Sequence, residues 1–261
     1  MRRNFMRASL SVALATFNEE ENIGRCLESV RQIANEIIVV DGSSTDKTVE
    51  IAKKFGAKVI ITDNPPIFHI NKQKAIDKCL GDWILQLDAD EVITPKLGEE
   101  IKEIVKKGSR FSAFWIKRRN YFLGRWLKKG GQYPDPVIRF FKRGKARLPC
   151  RSVHEQMVVE GEIGWLKNDM LHFSVPNFSR YLTNSNRYTS LTAREFKEKN
   201  LKINLFNHLN YLFWKPIKVS FDIYFRHKGF YDGFPGFVFA LFSGLHFSVA
   251  YIKYWELLKN N

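Results

Sequence analysis

Between Ser9 and Asp88 the chain alternates short β-branched runs with stretches of helical period. Successive strands joined through a helix pair in parallel, so this alternation confines the fold to an α/β architecture: a parallel sheet with crossover helices. Strands are predicted at Leu10–Ala15, Glu36–Val40, Lys58–Thr62 and Trp83–Leu87. Between the first two, Ile23, Cys26, Leu27 and Val30 recur at i, i+3, i+4 and i+7, which predicts a helix from Glu20 to Val30 with its apolar stripe on the sheet. Thr45 to Phe55 and Asn71 to Leu80 read the same way. Thr94-Pro95 supplies a cap and a first-turn proline for a further helix through Leu97, Ile101, Ile104 and Val105.

In open parallel sheets ligands sit beyond the carboxyl ends of the strands. Three of the four predicted strands end in polar clusters: Thr16-Phe17-Asn18-Glu19, Asp41-Gly42-Ser43-Ser44-Thr45-Asp46 and Asp88-Ala89-Asp90-Glu91. Taken alone, the second is a turn with a helix cap; three such clusters on one sheet edge point to a site. Asp88 and Asp90 repel each other unless a cation or a basic group compensates them. Mg2+ or Mn2+ takes oxygen ligands and keeps positions open for phosphate oxygens, so a nucleotide diphosphate would complete such a site. The chain has no Gly-x-Gly-x-x-Gly after its first strand, no Gly-Lys-Ser/Thr phosphate loop, no His-Glu-x-x-His and no Gly-x-Ser-x-Gly. Dinucleotide oxidoreductases, phosphate-loop ATPases, zinc proteases and serine hydrolases lose their weight accordingly.

Beyond Gly108 the pattern changes to longer aromatic-rich strands, Phe111–Lys117, Val137–Lys142 and Val153–Val159, then to helix from Phe178. The net charge of +15 is concentrated: residues 102–151 carry 16 Lys/Arg against 2 Asp/Glu, while residues 1–101 carry 13 against 16. That is a local field aimed at an anionic partner. Cys26, Cys79 and Cys150, an odd number without a Cys-x-x-Cys pair, read as reduced thiols of a cytosolic protein. The basic start through Arg7 followed by Ala8 to Ala15 mimics a secretion signal, but it runs without a spacer into Thr16, and a buried first strand explains it better. Phe234 to Ile252 has nineteen residues without Asp, Glu, Lys or Arg, long enough to span a bilayer, yet Pro235, Gly236, Ser243, Gly244, His246 and Ser248 dilute it. Leu205 to Tyr254 is expected to lie on a membrane, with Phe206, Leu209 and Trp214 facing lipid, Lys215, Lys218 and Arg226 at the phosphate level, and Pro216 and Pro235 breaking the segment.

Ser11 to Ile23, Glu36 to Asp46 and Gly81 to Glu91, in this order and spacing, resemble the three signature blocks of family 2 glycosyltransferases with the GT-A fold. Tyr133 to Arg143 and Val153-His154-Glu155 are similar to the subgroup containing lipopolysaccharide-core β-1,4-glucosyltransferases. The resemblance implies a Rossmann-like, mostly parallel sheet in a catalytic domain over residues 1–200, with a donor half at 9–101 and an acceptor half at 102–200. A helical, aromatic-rich, membrane-associating extension would occupy 201–261. It also implies that Asp41 contacts the nucleotide base, Asp88 the ribose or the metal, and Asp90 the metal bridging the diphosphate. Ala15 and Phe17 would line the base pocket, with Glu19 beside them, and Gln73 stands where the family often has Asn as a donor contact. Lys72, Lys74 or Arg139 would help neutralise the leaving diphosphate.

Direct displacement also needs a base for the acceptor hydroxyl. Glu103 is accounted for as a surface ion pair with Lys106 and Lys107, leaving Glu155, preferred, and Asp135, between two prolines. The expectation is an inverting, metal-dependent enzyme, peripheral on the cytosolic membrane face. It would use Mg2+ or Mn2+ to move a sugar from a UDP-linked donor to an anionic glycan or glycolipid in envelope synthesis. A polyprenyl-phosphate sugar synthase of the same fold is one alternative. A nucleic-acid or membrane-surface binding module, suggested by Trp115, Tyr121, Phe122, Trp126 and Tyr133 amid basic residues, is another; no nucleic acid is expected on the preferred reading.

Overall fold

The computed structural model describes residues 8–151 and 156–259. The chain divides into two compact units, the first made of the chain up to Arg118 with Pro136–His172, the second of Arg119–Asp135 with Phe173 onward.

In the first unit, β1 (Leu10–Thr16), β2 (Glu36–Asp41), β3 (Lys58–Ile61) and β4 (Trp83–Leu87) pair in parallel in the order β3-β2-β1-β4. The register sets Thr16 beside Asp41 and Leu14 beside Leu87, so the polar strand ends fall on one edge. The sheet continues with mixed direction through β5 (Glu91–Ile93), β6 (Ala113–Phe122) and β8 (Asp135–Lys142), the last antiparallel to β4; β7 (Arg125–Trp126), of the second unit, pairs with Tyr121 and Phe122 at the end of β6. Short β9 (Ala146–Arg147) and β10 (Val158–Val159) form a separate ribbon. β11 (Ile163–Trp165) pairs with β6, and β12 (Met170–Val175) runs antiparallel to β5. The sheet is therefore a mostly parallel core extended by antiparallel strands, flanked by helices, with a helical aromatic-rich tail after it.

Alternation along the strands feeds two cores. Leu10, Val12 and Leu14 pack with α1 (Ile23–Val30), α2 (Thr48–Lys54) and α4 (Pro95–Lys107), whereas Ala13, Ile38 and Val40 pack with Ala75 and Ile76 of α3 (His69–Asp77). Three helices are shorter than their periodicity predicts, because side chains capture their ends. Glu20 and Asp46 clasp each other's loops through the amides of Lys47 and Glu20, so residues 20–22 and 45–47 turn instead of coiling. Glu36 accepts from the amides of Leu80 (2.5 Å) and Gly81 (3.2 Å), which ends α3 at Asp77. α4 matches its prediction, capped by Thr94 and stopped by Gly108 at φ 77.

In the second unit, α5 (Phe178–Glu198), capped by Asn177, packs along the final helix. The tail is α6 (Leu205–Leu209), a π-helical turn at Asn210–Trp214, α7 (Lys215–Phe221), a second π segment at Asp222–Arg226, a 3-10 turn and α8 (Gly233–Lys259). Pro216 does not break it as expected. A proline cannot donate to the helical ladder, and the widened π turn before it absorbs that mismatch. Pro235 lies in the first turn of α8, where the missing donor costs nothing. The real break is at Lys228, left-handed at φ 59. α7 and α8 then meet closely at Gly244, where a Cβ would clash with the Pro216 carbonyl and the Ser220 hydroxyl.

Candidate active site

The polar ends of β1 and β2 are stitched together. Asp41 is fully buried; its carboxylate accepts from Thr16 Oγ1 (2.8 Å), Ser44 N (2.7 Å) and Ser44 Oγ (2.7 Å). Asn18 donates its amide to Ser44 Oγ and accepts from Thr45 N, each at 2.8 Å. Glu19 donates its amide to Thr48 Oγ1 and accepts from Asn22 Nδ2 (2.8 Å). Ala15 is half-buried on β1, and Phe17, just past it, is 43% exposed. The turn reading of Asp41 thus holds for its local bonds, and the same bonds bring the two strand ends into one rigid rim.

At the end of β4 the compensation of paired carboxylates is visible. Lys72 Nζ lies 2.5 Å from Asp88 Oδ1 and Arg139 Nη2 2.5 Å from Asp88 Oδ2, so each oxygen carries its own cation. Burial alone would raise the Asp88 carboxyl; Arg139 and Lys72 outweigh it and hold it well below the usual carboxylate range. Arg139 also reaches Gln86 Oε1 (2.5 Å) and Glu91 Oε1 (2.9 Å). Burial disfavours its charge, but Asp88 and Glu91 raise it above its ordinary value. Glu91, fully buried, accepts the Asp88 amide (3.0 Å) and faces Arg118 Nη1 at 3.4 Å. Lys72 and Arg139 are therefore built into this network, holding the Asp88 loop.

Asp90 points elsewhere. Its Oδ2 lies 3.5 Å from His172 Nε2 on β12, where His172 pairs with Glu91 across the β5–β12 ladder. Burial works against a charged His172 ring, but the bond to Asp90 wins and raises it above its ordinary value. Among the described residues no group of three or more His, Cys, Asp or Glu side chains could hold a metal ion. A carboxylate is nonetheless a fitting ligand for Mn2+ or Mg2+ when phosphate oxygens and water supply the rest, and the imidazole beside it is a donor that Mn2+ accepts more readily than Mg2+. Asp88, with both oxygens taken by cations, is the poorer ligand of the pair expected to bind metal.

The structure thus brings Lys72, Asp88, Asp90 and Arg139 together and adds Gln86, Glu91, Arg118 and His172, which sequence reasoning missed. His172 lies eighty-odd residues from Asp90 in a strand with no motif of its own; only the β5–β12 pairing joins them. Gln86, a polar residue inside the apolar run Trp83–Leu87, was the one local signal. Gln73 sits on α3 with its amide bonded to Asp77 Oδ1 and Leu148 N, each at 2.7 Å. Asp135 belongs to the second unit and accepts from Asn120 Nδ2 (2.9 Å). Glu155 lies outside the described residues. Cys26 and Cys79 are buried free thiols and Cys150 is half-buried.

Residues 11–157 match the model of the family described as "Glycosyl transferase family 2". An "Uncharacterized glycosyltransferase" of Rickettsia typhi is 30% identical, the match covering 88% of this chain and 80% of that protein. The "Lipopolysaccharide core biosynthesis glycosyltransferase LpsC" of Rhizobium meliloti is 27% identical over 95% of this chain and 92% of that one. Among solved structures, residues 1–349 of S. aureus TarS align with a TM-score of 0.49 at 16% identity, covering 94% of this chain and 88% of that one.

Proposed function

Since the chain belongs to glycosyl transferase family 2 and is a glycosyltransferase, we propose that it moves a hexose from a UDP-linked donor, with inversion and with a divalent ion, to an anionic envelope glycolipid. The observation that carries this reading is the Asp90–His172 pair beside a charge-compensated Asp88 at the carboxyl end of β4. Asp90 and His172 would hold Mn2+ or Mg2+, which supplies positive charge for the diphosphate as the bond to the sugar breaks. Asp88, fixed between Lys72 and Arg139, presents a carboxylate that stays ionised, suited to the donor's ribose hydroxyls. Asp41, at the neighbouring strand end, is suited to the nucleotide base.

In the displacement the acceptor oxygen bonds to the anomeric carbon, the bond from that carbon to the diphosphate oxygen breaks, and UDP departs with the electron pair. The acceptor proton passes to a carboxylate, for which Glu155 is the proposed base and Asp135 its competitor. The name of the LpsC relative supports a lipopolysaccharide-core acceptor. The excess charge in residues 102–151 supports an anionic one. A thermal-shift screen of UDP, GDP and dTDP sugars with and without Mn2+ tests it: UDP-sugar stabilisation that requires the metal is expected, and stabilisation by none of them would refute it.

A further inference from the structure

The second unit encloses an open cavity of about 390 Å3 lined by Arg125, Lys128, Lys129, Lys228, Tyr231 and Asp232. Four of these are cationic and one is acidic. The acid offsets one of the four charges and leaves three in excess, and its oxygens also hold the backbone: Asp232 Oδ1 accepts the Lys128 amide (3.0 Å) and Oδ2 the Lys129 amide (2.8 Å). Arg125 Nη2 donates to the Tyr231 carbonyl (3.1 Å), and Gly130 N to that of His227 (2.9 Å), tying the β7 loop to the break before α8. Among the described residues no carboxylate pairs with Lys129 or Lys228. A fixed cavity with an excess of unpaired cations is built for an anion.

The tail around it exposes an unusual amount of apolar surface. Phe206, Phe213, Ile217, Phe221 and Phe225, at 54–75% exposure, recur every four or seven residues along one helical face. On α8 Phe234, Phe237, Leu241, Leu245, Val249 and Ile252 recur every three or four residues at 37–72% exposure. Gly229–Lys259 is long and apolar enough to cross a membrane by length and composition, with mean hydropathy 1.5, and only 33% of its most apolar window is buried. A patch of this extent marks an interaction surface. Its neighbours argue against a span. α8 packs on α5 from Phe178–Phe242 to Phe196–Tyr254, and α5 carries Arg180, Arg187, Arg194, Glu195, Lys197 and Glu198. Lys253 of α8 is itself bonded to Asn186, Thr189 and Ser190 of that helix. Crossing would draw these charges into hydrocarbon.

We propose that the Arg125/Lys128/Lys129/Lys228 cavity binds the phosphate of an anionic phospholipid headgroup while the exposed apolar faces of the tail lie in the bilayer interface. A lipid surface is the occupant because it presents phosphate and apolar chains side by side, matching the cavity, Tyr231 in its lining and Phe230 stacked on that ring at 4.6 Å. The proposal deepens the membrane-associated reading above, but it is read without donor or acceptor, so its failure would leave the transfer chemistry untouched.

The test is flotation of the full chain with vesicles of phosphatidylcholine alone and of phosphatidylcholine mixed with phosphatidylglycerol. Lys129→Gln combined with Lys228→Asn removes two exposed charges, and Asn tolerates the left-handed backbone at 228. Partition onto the mixed vesicles should fall about fivefold per lysine, about twenty-fivefold together, with binding to neutral vesicles unchanged. Phe213→Ser with Trp214→Ser should weaken binding to both. Equal binding of the parent to both vesicle types, or no effect of the lysine pair, would overturn the proposal. So would calorimetric binding of inorganic phosphate without vesicle binding, or self-association on gel filtration that the Phe213/Trp214 variant abolishes while vesicles go unbound.

Discussion

Replacing Arg139 with Met removes one cation from three partners at once. Its guanidinium donates to Gln86 Oε1 at 2.5 Å, Asp88 Oδ2 at 2.5 Å and Glu91 Oε1 at 2.9 Å, all inside a nearly closed pocket. Methionine fills similar volume, so the loss is electrostatic rather than a cavity. Breaking a buried pair by deleting one partner costs about 3–5 kcal/mol. Here Glu91 keeps Arg118 at 3.4 Å and Asp88 keeps Lys72, so the low end, about 3 kcal/mol, is expected. With a urea dependence of about 3 kcal/mol per molar, the unfolding midpoint should fall by about 1 M. Adding Glu91→Gln to Arg139→Met removes the carboxylate left with only its 3.4 Å contact to Arg118 and should recover part of the loss. pH supplies a second check. The Asp88 carboxyl is held below its unfolded value, so its stabilisation is fully present above the unfolded carboxylate pKa and is lost as pH falls through and below that value. The gap between parent and Arg139→Met should therefore be widest near neutrality and narrow in acid. A loss below about 1 kcal/mol, or a double variant no more stable than the single, would refute the idea that Arg139 holds this loop.

Three further outcomes are expected. Asp90→Ala, and in parallel His172→Ala, should abolish metal-dependent UDP stabilisation and lower turnover by at least about a hundredfold; full activity in either would remove that residue from the metal site. Glu155→Gln should keep donor binding while reducing kcat by about 10²–10⁴-fold, and the same signature in Asp135→Asn with an active Glu155→Gln would reverse the assignment. Burial, reinforced by Glu36, pushes the Cys79 thiol up to about 12. At pH 8 its thiolate fraction is then about a thousandfold below that of a thiol at 9, and iodoacetamide labelling of Cys79 should rise about tenfold per pH unit up to that value; labelling as fast as a free thiol at pH 8 would contradict the burial.

The strands, their parallel direction and the polar edge were legible because they rest on local regularities. Short, mostly apolar runs bounded by polar clusters mark Leu10–Thr16 and Trp83–Leu87, and the i, i+3, i+4, i+7 spacing of Ile23, Cys26, Leu27 and Val30 marks α1. Asp88, Asp90, Lys72 and Arg139 were legible as candidates for one site, but not which of them touch. Helix ends escaped periodicity wherever a side chain from another loop captured the backbone, as Glu36 does at Leu80. Pro216, read locally, is a break; the π turn ahead of it keeps the helix whole. Sequence alone thus determined the fold class, which follows from residue order along single elements, while the family of chemistry came from the resemblance of three blocks, Ser11 to Ile23, Glu36 to Asp46 and Gly81 to Glu91, to those of a known family. Tertiary structure decided that Arg139 of β8 closes on Asp88 and that His172 of β12 faces Asp90. Those contacts depend on antiparallel strands supplied by chain some 50 to 80 residues further on, whose register is set by sheet geometry and not by any pattern near the aspartates.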